Sequence, residues 1–298
     1  MQNFLFVINP DSGSALDKGF PEMIEEVFAV HPHKKYTLYT LNKGSIKDQL
    51  KKELKKKKYD VVVACGGDGT VAGVASELVK SSQILSIIPL GTANVFARAI
   101  QLPIDVRRAL EICAESDTTL KLDAMKCMNE YYFLQITIGL SSEVTKEATQ
   151  QHKKLFGRLM YIFIGLGKVF AHKSRRYRLL LDDKPVELKA ADIIIANTDV
   201  FLGMGLSFGE SISMIDGRID VCAARPKTLL DYVRLTLNFF FTKFKVSKKL
   251  YFSQSCKEVK IDCKKKLPVH ADGEIIGSTP VEITVVPKAI SVLCPKGA

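Results

Sequence analysis

No stretch of this sequence is long and apolar enough to cross a bilayer as a helix. Its longest run without a charged residue, residues 81–97, covers 17 positions and includes Ser86, Pro89, Gly91, Thr92 and Asn94. A spanning helix takes about 20 mostly apolar residues, so this run fails on length and content. The N-terminus has no basic segment, and the apolar run 4–8 is too short for a secretory leader. Cysteine is sparse: seven residues, none in a CxxC pair. That spacing suits a reducing compartment better than a disulfide scaffold or a zinc site. Fixed-period repeats and low-complexity tracts are missing as well. A cytosolic protein is the expectation.

What is present is ordinary for a globular chain: 47% apolar and 25% charged residues, over a length of 298 that suggests two domains. The net charge of +11 is uneven. Residues 1–121 hold 16 Lys/Arg against 14 Asp/Glu, and the remainder 27 against 18. The positive excess therefore belongs to the second half, where it suits nucleic acid, an anionic membrane or a phosphorylated ligand.

The first 120 residues alternate between strand and helix patterns. Buried-strand runs at 4–8, 61–64 and 84–88, with an alternating strand at 36–41, are separated by helical patterns at 21–30 and 45–58, a helix running to about residue 80, and one from Ala93. This order predicts a parallel sheet with helices on both faces. After residue 118 the pattern turns to strands, at 119–128, 131–138, 176–181, 190–196, 218–223, 250–261, 267–276 and 281–286. Two helical stretches, 143–173 and 228–245, interrupt them. The prediction is an α/β domain over 1–120, followed by a mostly β sandwich over 121–287. A last strand at 290–293 could return to either, so 288–298 could complete the first domain.

The strongest chemical signal is Gly66-Gly67-Asp68-Gly69-Thr70, a turn between a buried strand and a helix. Glycines there let backbone N–H groups approach a phosphate, and the helix N-terminus adds partial positive charge. A carboxylate beside phosphate oxygens is repulsive unless a cation intervenes. Asp68 therefore points to a Mg²⁺-linked or phosphate-orienting role; the plainer reading is a tight turn whose Asp caps the next helix. The turn Asn9-Pro10-Asp11-Ser12-Gly13-Ser14 and the segment Pro89-Leu90-Gly91-Thr92 follow other parallel strands, and Thr40 ends a fourth. Parallel sheets bind ligands at the carboxyl ends of their strands, so these loops predict a nucleotide site. GxxxxGK[ST] is missing, as is GxGxxG with an acidic ribose reader, which excludes a P-loop NTPase and leaves a nicotinamide fold unsupported.

With Pro89-Leu90-Gly91-Thr92-Ala93-Asn94-Val95-Phe96-Ala97-Arg98, the GGDGT loop resembles the diacylglycerol kinase catalytic family, which includes sphingosine and ceramide kinases. The resemblance extends over nearly the whole chain. It implies a lipid kinase with ATP as co-substrate, bound in a cleft between an α/β domain and a β-sandwich. By motif, ATP would lie against Asn9, Pro10, Asp11, Ser12, Gly13, Thr40, Gly66, Gly67, Asp68, Gly69, Thr70, Val71, Ala72 and Thr92.

In the second half, Asp216-Gly217-Arg218-Ile219-Asp220 resembles the family element associated with Mg²⁺. It implies Asp216 as a side-chain ligand, completed by the backbone carbonyls of Ser213 and Arg218. His270-Ala271-Asp272-Gly273-Glu274 resembles the element that holds the general base, implying Glu274 in that role and Asp272 second to it. Taken alone, the first of these segments is equally a hairpin turn, and the second is better read as one. The chain departs from the family in its stretch 203–210, which keeps glycines but lacks a proline, and at Ala93 and Val95, where many members have Gly and Asp. These departures bear on which lipid is accepted.

A lipid kinase without a spanning helix has to dock on its membrane. Two segments mix basic and aromatic residues, 153–173 and 229–252, the latter with Phe239-Phe240-Phe241. Each suits an anionic interface and equally a core-packing helix with a solvated edge. The expected partners are a lipid substrate and an anionic membrane surface, met peripherally from the cytoplasm. No nucleic acid is expected, and a homodimer is left open. The alternatives are an NAD kinase, which shares the GGDGT loop but whose later elements are not found here, and a nucleotide-regulated membrane-binding module without catalysis. Phosphofructokinases share the loop too, but their second domain does not fit.

Overall fold

A computed structural model describes residues 2–13, 19–139, 174–199, 212–226, 228, 231 and 251–296. The chain divides into two compact units, Met1–Ala124 with Pro287–Ala298, and Met125–Val286.

The first unit is built on parallel strands in the order β2 (Lys34–Thr40), β1 (Gln2–Ile8), β3 (Val61–Gly66), β4 (Ile84–Pro89). Residues Phe4–Ile8 of β1 and all of β3 are buried. That is why these segments are continuous apolar runs rather than alternating ones: both faces of the sheet are covered. The end of β16 (Val281–Leu293) adds a further parallel strand, with Ser291 opposite Ile84 and Val292 opposite Leu85.

Helix α1 (Phe20–Ala29) sets Phe28 edge-on against Phe4 and Phe6, with centroids 5.2 and 5.4 Å apart. It also packs against α5 (Val106–Glu115), where Arg107 forks onto Glu26. Helix α2 (Ile46–Leu54) lies against α3 (Asp68–Glu77), with Ile46 seated on Gly73. The single helix expected from Ala93 is two: α4 (Val95–Ala99) and α5. Gln101 in the left-handed region (φ 56) and Pro103 break the path between them.

The second unit holds an antiparallel six-stranded sheet. Its order is β12 (Tyr251–Cys256), β11 (Ile219–Ala224), β10 (Asp192–Ala196), β7 (Gln135–Gly139), β14 (Pro268–Ala271), β15 (Glu274–Ser278). A second antiparallel layer runs β9 (Lys184–Ala190), β8 (Arg175–Leu181), β13 (Glu258–Cys263) and the start of β16. The hairpin of β5 (Thr119–Cys127) with β6 (Glu130–Tyr132) adjoins it. Ile136, Tyr177, Ile193, Val221, Val259 and Ile283 belong to the shared core between the layers, which makes this unit a β-sandwich.

Four expectations about strands change, the first being that 131–138 is two strands, β6 and β7, parted at Phe133 and Leu134. The run 250–261 is two strands parted at Lys257, and 267–276 is a hairpin rather than one strand. The segments 281–286 and 290–293 are one strand that passes through Pro287. The expected helices at 143–173 and 228–245, the stretch 203–210 and the docking segments 153–173 and 229–252 lie outside the described residues, apart from 228, 231 and 251–252.

Candidate active site

The carboxyl ends of the parallel strands come together in register. Ile8 pairs with both Thr40 and Cys65, and Gly66 pairs with Pro89. The loops leaving these ends are therefore neighbours, and glycine lets them touch. A Cβ on Gly91 would lie 2.6 Å from the Cα of Gly67, and one on Gly13 (φ +44) would lie 2.4 Å from the carbonyl oxygen of Leu90. No side chain fits at either contact. Around a Cβ on Gly69 there is open space instead, so the start of α3 presents backbone to an approaching ligand. Gly67 caps α3 without any side-chain hydrogen bond, and its carbonyl accepts the amides of Thr70 and Val71.

Side chains fasten the loops to each other. Asn9 donates through Nδ2 to Thr70 Oγ1 at 2.8 Å, and its Oδ1 accepts the Asp11 amide at 3.0 Å. Thr70 is buried against Gly66, and Val71 packs into the core, so these two support the loop from beneath. Asp11, Gly13, Thr40, Gly69 and Thr92 are exposed, with Pro10, Ser12, Gly67 and Ala72 half-buried. The sequence reading did not single out Asn94. It sits in the left-handed region (φ 49) and closes the Gly91 turn twice, accepting from the Gly91 amide and donating to the Gly91 carbonyl. Its place in the 89–98 motif and its tolerance of that conformation are the local signals.

Asp68 caps a helix, but not the one it begins. Its Oδ1 accepts the amide of Phe96 at 3.0 Å, in the first turn of α4. One carboxylate thus ties the Gly-rich loop to the Pro89–Asn94 loop. Burial raises its pKa from the ordinary value, against the opposing pull of the amides of Phe96, Val95 and Asn94.

In the second unit, Asp272 and Gly273 form the turn between β14 and β15, with φ +46 and +95 and Ala271 opposite Glu274. These are the dihedrals of a two-residue type I′ hairpin, for which Asp-Gly is a preferred pair. The Asp272 carboxylate accepts three main-chain amides, from Phe133 (2.9 Å), Leu134 (3.0 Å) and Gln135 (3.1 Å). Its own amide donates to the Gln135 carbonyl. Glu274 follows the turn with its side chain exposed. The half-buried phenol of Tyr132, which the sequence reading also passed over, has its pKa pushed up to about 12 by burial. The charges of Glu130, Asp272 and Glu274 add to the effect.

The segment from Ser213 to Arg218 is a turn with Met214 buried and Ile215 and Asp216 exposed, in which Asp216 Oδ1 accepts the Arg218 amide at 2.9 Å. The Arg218 guanidinium donates to the side chain and carbonyl of Ser255. Among the described residues no group of three His, Cys, Asp or Glu side chains is placed to hold a metal. The donors here are all hard oxygens, one carboxylate and main-chain carbonyls. That set fits Mg²⁺, which keeps most of its waters.

Comparison with known proteins places this geometry in a family. Residues 3–127 match the family model of the diacylglycerol kinase catalytic domain, and residues 135–294 match the YegS C-terminal NAD kinase beta sandwich-like domain. A Synechocystis sp. protein is 27% identical, over 97% of this chain and 69% of its own. A diacylglycerol kinase of Bacillus subtilis is 24% identical, over 99% of this chain and 97% of its own. A crystal structure from Bacillus anthracis shares the fold with a TM-score of 0.83 at 20% identity, covering 99% of this chain and 95% of that one. The chain belongs to the diacylglycerol kinase catalytic-domain family and is a lipid kinase. Among the described residues no helix is long and apolar enough to cross a membrane.

Proposed function

We propose that this protein transfers the γ-phosphoryl group of ATP to a lipid hydroxyl in a Mg²⁺-dependent reaction, with diacylglycerol the leading acceptor. The observation that carries the nucleotide half is the backbone-to-backbone packing of the loops at Gly13, Gly67 and Gly91. It supports a cradle for phosphates in which main-chain amides do the binding. Gly91→Ala forces that packing apart. It is expected to raise the KM for ATP by about tenfold or more, read from steady-state kinetics with circular dichroism to check the fold.

The chemistry then follows from the carboxylates. The lipid hydroxyl oxygen forms a bond to the γ-phosphorus, the bond from that phosphorus to the bridging oxygen breaks, and ADP leaves. Glu274 accepts the hydroxyl proton as this happens. Glu274 suits the role better than Asp272, because it is exposed whereas the Asp272 carboxylate is engaged by three amides. Asp216, with the carbonyls of Ser213 and Arg218, would hold Mg²⁺. When bound, the ion supplies charge neutralisation at the phosphates. Asp216→Ala is expected to raise the Mg²⁺ concentration needed for half-maximal activity. A titration unchanged from wild type would remove Asp216 from the account.

The deciding experiment is transfer of labelled γ-phosphate from Mg-ATP to diacylglycerol in mixed micelles, with a total lipid extract and NAD in parallel tubes. Label in diacylglycerol supports the reading, and label only in another lipid of the extract reassigns the acceptor. Label in NAD alone overturns the lipid half. The positive excess of residues 122–298 further supports peripheral docking on an anionic membrane. Co-sedimentation with anionic but not neutral vesicles is the matching result.

A further inference from the structure

The segment joining β6 to β7 is held along both of its edges. On one edge, the amides of Phe133, Leu134 and Gln135 all donate to the Asp272 carboxylate. On the other, Asn197 donates through Nδ2 to the Phe133 carbonyl at 2.8 Å, and its amide donates to the Leu134 carbonyl at 3.0 Å. Asn197 is fully buried and directly follows β10, whose Ala196 pairs with Gln135. Peptide planes fixed from two sides have little freedom to rotate. Asp272 is the first residue of the type I′ turn and Glu274 the first residue after it, so whatever fixes the three amides also fixes the base.

We propose that Asn197 is a positioning residue for Glu274, acting through the Phe133–Gln135 backbone and the Asp272 carboxylate. The proposal rests on Glu274 being the general base. Asn197 bonds to the carbonyls of Phe133 and Leu134, in the segment that Asp272 holds from its other side. Its effect is therefore confined to the placement of a carboxylate that has to meet a hydroxyl proton at hydrogen-bond distance. Small displacements of a reacting group are costly: about 1 Å can lose on the order of a hundredfold in rate.

The test is a double-mutant cycle on the full chain, with phosphoryl transfer to diacylglycerol as readout. Asn197→Asp keeps the size of the side chain but removes the Nδ2 donor, leaving the Phe133 carbonyl facing an oxygen. It is expected to lower kcat about tenfold with the KM for ATP unchanged. In a Glu274→Gln background it is expected to cost nothing further, because there is no base left to misplace. An equal loss in both backgrounds, or no loss in either, overturns the proposal. Wild-type activity in Glu274→Gln alone overturns the base assignment instead, so the two failures are distinguishable. Should Asn197→Asp not fold, Asn197→Ser takes its place, since the main-chain bond to Leu134 survives. Independently, hydrogen exchange of the wild-type protein is expected to protect the amides of Phe133 and Leu134 as strongly as those of β7. Rapid exchange there would count against a clamped segment.

Discussion

Glu274→Gln is expected to lower kcat by about 10²- to 10⁴-fold while leaving the KM for ATP within about twofold of wild type. The side chain is exposed at the first position of β15, so losing its charge leaves no buried group without a partner and the fold is unaffected. The amide cannot take up the hydroxyl proton, and the loss falls on the chemical step rather than on nucleotide binding. Asp272→Asn behaves differently. It puts an NH₂ group where an oxygen now accepts main-chain amides, so it lowers the thermal midpoint along with the activity. Comparing kcat, KM and midpoint for the two variants separates the base from the residue that holds the turn. Equal midpoints with equal losses of kcat would mean that both carboxylates act on substrate.

The second large effect is expected at Asp68. Asp68→Ala removes the acceptor for the Phe96 amide in the first turn of α4, and an amide left without its partner costs about 1–3 kcal/mol. It also removes the carboxyl group that joins the two loops. Activity is expected to fall below detection in the micelle assay, with a measurable drop in thermal midpoint. Asp68→Asn keeps an oxygen for the Phe96 amide and is expected to regain most of the stability. If it regains the activity as well, Asp68 serves only to join the two loops. If activity stays lost in a stable Asp68→Asn variant, the charge is needed for phosphoryl transfer.

Much of this was legible in the sequence because it depended on local pattern. Buried parallel strands are continuous apolar runs, so β1, β3 and β4 stand out, and the glycines between strand and helix mark the loops that pack together at the strand ends. The elements that were missed have competing signals. In β9, Pro185 and flanking lysines obscure an alternating strand, a combination that an edge position tolerates. The Asp272-Gly273 pair signals a hairpin, but a turn of only two residues sits inside a segment that otherwise reads as one strand.

The roles of the site carboxylates were less legible still. Asp68 meets Phe96 across 28 positions, and Asp272 meets Phe133 across 139. Neither partner carries a distinctive side chain, because in both cases the donor is a main-chain N–H. Asn197 and Asn94 share that difficulty: their partners are peptide groups, which every residue possesses.

The strand β16 has a consequence for how the molecule is made. Its end pairs with β4 in the first unit, Ala289 accepts the Lys80 amide, and Cys294 bonds with Thr118 and Ser116. The nucleotide-binding unit therefore cannot be completed from the first 124 residues to leave the ribosome. Until residues 287–296 are synthesised, the hydrogen-bonding edge of β4 stays open beside fully apolar strands, the kind of edge that invites aggregation. The sandwich unit, whose residues 125–286 are contiguous, can close while the unit that precedes it is still waiting. The N-terminal unit thus takes its last strand from residues that follow the whole of the sandwich unit in the chain.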